Sequence, residues 1–142
     1  IKKRIVEKDE NEKNIRKILN FGHTFAHAFE ATNNYSKNIN HGEAVLLGII
    51  CASNFANQNG IIKKSDYKRI INHYKKLNLP IKVNKFFSKK KISRILSFMK
   101  KDKKNTDKKI NLVLLRKIGK AVYNYQFNQN IISKFFHKEL IN

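Results

Sequence analysis

The stretch Glu12-Lys13-Asn14-Ile15-Arg16-Lys17-Ile18-Leu19-Asn20-Phe21-Gly22-His23-Thr24-Phe25-Ala26-His27-Ala28-Phe29-Glu30 decides how this chain is read. Drawn as a helix at about 100° per residue, it places Glu12, Arg16, Asn20, His23, His27 and Glu30 within an arc of about 80°. Apolar residues, among them Ile15, Ile18, Leu19, Phe21, Phe25 and Phe29, fill about 160° to 340° of the same projection. So wide an apolar arc predicts a mostly buried helix from about Glu12 to Thr32, with its polar stripe forming the wall of a cleft. Arg16 is then expected two turns before His23, about 10 Å along the axis. The chain has 26 lysines, so an ordinary wet helix face in it carries Lys. This stripe carries none, which makes its six side chains candidates for chemistry.

His23 and His27 stand at i and i+4, a spacing at which two imidazoles can reach one metal ion. The zincin pattern has Glu directly after the first His; Thr24 occupies that position here, which excludes that protease class. His41 opens a second signal, His41-Gly42-Glu43-Ala44-Val45, at an expected helix start, where Gly42 permits close backbone approach. A catalytic zinc generally takes three protein ligands and leaves one position open. Two histidines are easily nominated. The third ligand is Glu12, Glu30 or Glu43, or a residue outside this chain.

Flanking this stretch, residues 1–11 are polar and charged apart from Ile5-Val6. The polar run from Asn33 to Asn40 reads as a loop. A helix is expected from about Gly42 to Asn57, stopped by Asn59-Gly60. Ser65 or Asp66 is expected to cap another, ending near Leu77 before Pro80. Ser88 is expected to cap a fourth, through about Lys101. Asp102 to Lys109 has no period and reads as a loop. Ile110 to Leu115 and Ala121 to Phe127, separated by a turn at Gly119, read as a hairpin. Residues 128–141 read as a terminal helix. The fold class is therefore mainly α with one small β-hairpin, in a single domain spanning residues 1–142.

The formal net charge is +21 over 142 residues. A charge of that size is the usual footprint of nucleic-acid binding. Yet there are 26 Lys against 5 Arg, together with 19 Asn and 19 Ile. Lys, Asn and Ile share A- and T-rich codons, so compositional drift inflates all three. Arg, the better residue for bidentate recognition, is scarce, and the Lys pairs are scattered along the chain. A nucleic-acid partner is therefore not favoured. No apolar run approaches the roughly 20 residues a membrane span needs. The single Cys51 excludes an internal disulfide and fits a reducing, cytoplasmic setting. The chain starts at Ile1 and its one methionine is Met99, so it reads as a piece of a longer polypeptide.

The segments Arg16 to Glu30 and His41-Gly42-Glu43-Ala44-Val45 resemble 3-dehydroquinate synthases. The resemblance extends upstream to Lys2 and to Asp9-Glu10-Asn11-Glu12. Downstream it takes in Leu77-Asn78-Leu79-Pro80, Met99 to Lys104, Leu112-Val113-Leu114-Leu115 and Ile118-Gly119. One departure is Ala26, where the family usually has glycine; the added methyl is expected to tighten helix packing. The resemblance implies the helical C-terminal domain of a two-domain enzyme whose N-terminal α/β, NAD-binding domain is absent here. It implies a phosphate-eliminating lyase of the shikimate pathway that converts 3-deoxy-D-arabino-heptulosonate 7-phosphate to 3-dehydroquinate. It further implies bound NAD, a divalent zinc or cobalt ion, and a homodimer when intact.

Residue by residue, the resemblance implies His23 and His41 as metal ligands, the third being a glutamate of the preceding domain. It implies Glu12 and His27 in proton transfer and Arg16 on the substrate carboxylate. Lys2 is implied on a hydroxyl or the carboxylate, and Asn20 and His27 on the phosphate, with Lys103 or Lys104 adding charge. This chain has no Gly-rich strand–turn–helix element, so no NAD contact is assigned in it and it is expected to be inactive alone. Three other functions compete with this one. They are another sugar-phosphate cyclase, a metal-dependent polyol dehydrogenase of the same plan, and a basic nucleic-acid-binding module.

Overall fold

Phe25, Phe29 and Phe55 are each at most 1% exposed, and they mark where the core of this computed structural model lies. The structure describes residues 2–34, 39–101 and 109–140. Phe25 and Phe29 belong to α2 (His23–Thr32) and Phe55 to α3 (His41–Gln58). Phe135 and Phe136 of α6 (Gln129–Glu139) close on them, with the Phe55 and Phe135 rings edge to face at 5.3 Å and the Phe25 and Phe136 rings at 5.9 Å. Phe87 stacks on Phe29 from outside the helices at 5.0 Å. Burying each such ring stabilises the fold by about 1.5–3 kcal/mol. The other α-helices among the described residues are α1 (Lys2–Lys8), α4 (Lys64–Lys76) and α5 (Ile92–Lys101), and α5 lays Ile92, Ile95, Leu96 and Met99 against the core.

Among the described residues one antiparallel hairpin, β1 (Lys109–Lys117) with β2 (Lys120–Asn128), completes the fold. Ile110, Leu112 and Leu114 alternate into the core, as a period of two requires. The other face of β1 carries Asn111 and Val113. Leu112 pairs with Tyr125 but Leu114 pairs with Val122, so β2 holds one extra residue at Tyr123-Asn124. Asn124 takes φ +66 within this bulge. Bulges re-aim the side chains around them, and this one lies beside the site described below. The mainly α architecture with one hairpin agrees with expectation.

The long helix expected from Glu12 to Thr32 does not exist as one element. Residues Ile15–Asn20 form a 3-10 helix, Phe21 leaves helical backbone, and Gly22 turns the chain into α2 at φ +82. Tertiary packing supplies the reason. A Cβ on Gly22 would lie 2.6 Å from the Ile49 nitrogen, and a Cβ on Gly48 would lie 2.3 Å from the Gly22 carbonyl oxygen. The chain turns where it touches α3, and only glycine accepts both the closeness and the left-handed conformation. Ala26 is fully buried, and its methyl faces Gly48, as tight helix packing requires.

Several local expectations need correction. α4 begins after Lys63, and no side-chain hydrogen bond caps it; Ser65 and Asp66 are inside the helix. Asp66 instead pairs with Arg69 at 3.7 Å in the first turn, where its charge suits the helix dipole. Ser88 precedes a short 3-10 turn, Lys89–Lys91, and its side chain makes no cap. Among the described residues Gly42 is not a point of close approach: a Cβ there would meet only the Asn40 side chain, at 3.4 Å. The start of α3 is instead set by a reciprocal pair. Asn40 Oδ1 accepts from the Glu43 N–H at 2.9 Å, and Glu43 Oε2 accepts from the Asn40 N–H at 2.9 Å. The loop expected over Asp102 to Lys109 lies, apart from Lys109 at the start of β1, outside the described residues.

Candidate functional site

The site begins with the loop from Asp9 to Asn14, in which the sequence assigns a role only to Glu12. The Asp9 carboxylate accepts the backbone N–H groups of Lys13, Asn14 and Arg16 at 3.0, 2.7 and 3.0 Å. Desolvation pushes this carboxyl up. The three hydrogen bonds and the Arg16 charge outweigh that effect and hold it below its ordinary value. Within the loop Glu12 adopts φ +54, a conformation that a non-glycine residue takes only when its surroundings impose it. The Glu12 carboxylate accepts from Asn20 Nδ2, and Arg16 Nη1 donates to the Glu10 carbonyl at 2.5 Å.

Two adjoining cavities share Glu12, Asn20 and His23 in their walls. One, of about 340 Å³, is also lined by Lys2 and Arg16. The other, of about 420 Å³, is also lined by His27 and Lys17 and by Asn111 and Tyr123 of the hairpin. Glu12, Arg16, Asn20, His23 and His27 thus do converge. Tertiary packing around the Gly22 turn brings them together, not one helix face, and the expected 10 Å axial offset of Arg16 does not apply.

His23 and His27 remain one turn apart on α2, their rings edge to face at 5.7 Å. Burial holds the His23 imidazole below the ordinary histidine value, and repulsion from His27 and His41 adds to this. His23 Nδ1 faces the Phe21 carbonyl at 3.4 Å, and His41 Nδ1 faces Glu30 Oε1 at 2.8 Å. A carbonyl and a carboxylate can only accept, so each Nδ1 carries the hydrogen. In the neutral rings each Nε2 is left with a lone pair. An acceptor behind Nδ1 is the usual support of a metal-binding histidine. His41 lines neither cavity: its side chain is 66% exposed at the first residue of α3, whereas Glu30 is only 13% exposed.

The carboxylates weighed as a third ligand are otherwise engaged. Glu12 meets Asn20, Glu30 meets His41, and Glu43 belongs to the α3 cap. Among the described residues no three His, Cys, Asp or Glu side chains form a group able to hold a metal ion. What the described residues do offer a metal ion is chemical: His23 and His41 each present an Nε2 lone pair, with Nδ1 held by an acceptor. Lys103 and Lys104 lie outside the described residues. The sequence assigns no site role to Asp9, Lys17 or Tyr123: the wheel starts after Asp9, places Lys17 off the polar stripe and says nothing of the hairpin. Glu30 lay on that stripe, but its pairing with His41 was not legible.

Among the described residues no helix is long and apolar enough to cross a membrane. Residues 1–105 match the family model for the 3-dehydroquinate synthase C-terminal domain. A 3-dehydroquinate synthase of Pelagibacter ubique is 58% identical over 140 residues, which is 99% of this chain and 38% of the relative. The chain therefore spans well under half the length of that protein. Among solved structures, 2-deoxy-scyllo-inosose synthase complexed with carbaglucose-6-phosphate, NAD+ and Co2+ superposes with a TM-score of 0.76 at 24% identity, over 98% of this chain and 39% of that one. The 2-epi-5-epi-valiolone synthase of Streptomyces hygroscopicus, with NAD+ and Zn2+ bound, gives a TM-score of 0.73 at 21% identity, over 95% of this chain and 36% of that one. These two likenesses speak for the fold, and the extent of the family match speaks for kinship: the chain belongs to the 3-dehydroquinate synthase C-terminal family.

Proposed function

We propose that this chain is the metal- and substrate-binding part of a cytoplasmic, homodimeric 3-dehydroquinate synthase. That enzyme converts 3-deoxy-D-arabino-heptulosonate 7-phosphate to 3-dehydroquinate and phosphate. The observation that carries the reading is the pair of cavities meeting at Glu12, Asn20 and His23, with Lys2 and Arg16 on one side and His27 on the other. A substrate bearing a carboxylate at one end and a phosphate at the other fits across that junction. Carbaglucose-6-phosphate, bound in one structural neighbour, has no carboxylate for Arg16, which disfavours a cyclase of carboxylate-free sugars.

His23 and His41 would hold a divalent metal, completed by a ligand from the N-terminal part of the enzyme. Neighbours of this fold that carry NAD+ with Co2+ or Zn2+ support both cofactors. When bound, the metal polarises a substrate oxygen and NAD supplies reversible hydride transfer. The chain's own residues bind, orient and move protons. Arg16, tied to the Glu10 carbonyl by one guanidinium nitrogen, offers its remaining donors to the substrate carboxylate, with Lys2 beside it. His27, one turn beyond His23, and Glu12 exchange protons with the substrate. Asn20 and His27 meet the phosphate, assisted by Lys103 or Lys104.

Metal analysis of the intact enzyme tests this assignment. His23→Ala and His41→Ala are expected to lose bound metal as well as turnover. His27→Ala is expected to keep the metal and lose about 10²–10⁴-fold in rate. Full metal occupancy in the first two variants, or metal loss equal to theirs in His27→Ala, overturns it. A product other than 3-dehydroquinate overturns the substrate, and released reduced NAD would indicate a dehydrogenase.

A further inference from the structure

In a chain this rich in lysine, one ammonium group is placed differently from most. Lys17 lies on the 3-10 helix Ile15–Asn20 and lines the same cavity as Asn20 and His27. A 3-10 helix has three residues per turn, so residues i and i+3 eclipse. Lys17 therefore points to the same side as Asn20. Its Nζ sits 5.6 Å from the centroid of the Tyr123 ring. Tyr123 stands at the β2 bulge, beside Asn124 at φ +66, and itself lines the cavity.

An ammonium over a tyrosine face is held by the ring quadrupole, which attracts the cation without neutralising its charge. Among the described residues no carboxylate forms an ion pair with Lys17. Glu12, whose carboxylate accepts from Asn20, lines this cavity and the adjoining one. The result is a half-buried cation, fixed by the hairpin beside an amide and an imidazole. That set is complementary to a compact anion with several oxygens.

We propose that Lys17, positioned by Tyr123, is a further substrate-binding residue that supplies charge to the phosphate monoester end of the substrate. This rests on the functional reading above for the substrate and on the cavity alone for the anion. The hairpin then serves as a wall of the phosphate end, and the bulge is the device that turns Tyr123 toward Lys17.

The test uses the intact enzyme and inorganic phosphate as the probe. Lys17→Met is expected to weaken inhibition by phosphate about tenfold, as loss of a charge-assisted hydrogen bond does. It is expected to raise the substrate's KM by a similar factor. Inhibition by a phosphate-free sugar acid with the same carboxylate should not follow. Lys17→Gln should match Lys17→Met. Tyr123→Leu should weaken phosphate several-fold, and Tyr123→Phe, which keeps the ring, should restore that affinity. Unaltered phosphate inhibition in both Lys17 variants overturns the proposal, as does equal weakening of phosphate and the phosphate-free acid. A wild-type enzyme that binds no phosphate overturns it as well. If phosphate binding depends on Lys17 but the heptulosonate phosphate is not turned over, the assigned reaction fails while the role of Lys17 stands.

Discussion

Glu30 Oε1 accepts a hydrogen bond from His41 Nδ1 at 2.8 Å, joining the last turn of α2 to the first residue of α3. Glu30 is largely buried and His41 largely exposed, so a carboxylate anchored in the protein holds a ring at its surface by Nδ1 and leaves Nε2 out of that bond. The bond fixes both the tautomer and the direction of a residue that would otherwise turn freely at a helix start.

Glu30→Ala is therefore expected to weaken metal binding of the intact enzyme about 10–100-fold, the usual cost of losing such a support. Glu30→Gln keeps an acceptor oxygen and should lose less. Metal titration of the two variants against the parent checks this. Equal affinity in all three would show that His41 needs no orientation from α2.

The Asp9 carboxylate holds the loop that presents Glu12 and Arg16. Asp9→Ala leaves the backbone N–H groups of Lys13, Asn14 and Arg16 without their acceptor. Amide exchange at those three positions is expected to accelerate, and kcat/KM is expected to fall about tenfold or more through misplacement alone. Metal content should stay at the parental level. Unaltered exchange in the variant would remove Asp9 from the site's construction.

Gly48 and Gly119 offer a contrast in what glycine is for. A Cβ at Gly48 would stand 2.3 Å from the Gly22 carbonyl oxygen, whereas no described residue comes within 4 Å of one at Gly119. Gly48→Ala must push α2 and α3 apart, an overpacking that costs about 1–3 kcal/mol or more. Gly119→Ala meets only the strain of φ +83, about 1–2 kcal/mol. Denaturant unfolding should rank Gly48→Ala as the less stable variant, and Gly48→Ala should also disturb the site next to Gly22.

Glu139 carries a pH dependence. Desolvation raises its carboxyl above the usual value, against the opposing pull of hydrogen bonds from Gln58 and Asn54 and the charge of Lys138. The folded protein thus binds this proton more tightly than the unfolded chain does. Its contribution is fully present below the unfolded value and is lost as pH rises through the raised folded one. Glu139→Gln removes that loss. The stability of Glu139→Gln minus that of the parent should accordingly grow as pH rises from the carboxylate range toward neutrality. A difference independent of pH would contradict the raised value.

Sequence alone determined what depends on a single element. His23, His27 and Glu30 share one face of α2 because they follow the helical period. The hairpin was legible from Ile110 to Phe127 because alternation and Gly119 are local signals. The chemistry of the site was legible as residue types on a stripe that lacked lysine.

Only the tertiary structure decided what depends on two elements in contact. The break at Gly22 arises because the chain passes within touching distance of Gly48 on α3, and no periodicity reports that. The 3-10 geometry before it brings Lys17 around to Asn20, whereas a continuous helix would turn Lys17 about 100° from Arg16 and off the stripe. Glu12, Asn20 and the two histidines nevertheless share a cavity, because the Asp9 loop, hydrogen-bonded to the start of the 3-10 helix, and the turn at Gly22 replace the helix that would have aligned them. Hydrophobic period encodes which face of an element is buried. Which residues of different elements meet is set by the packing of those faces, and here that packing built the site.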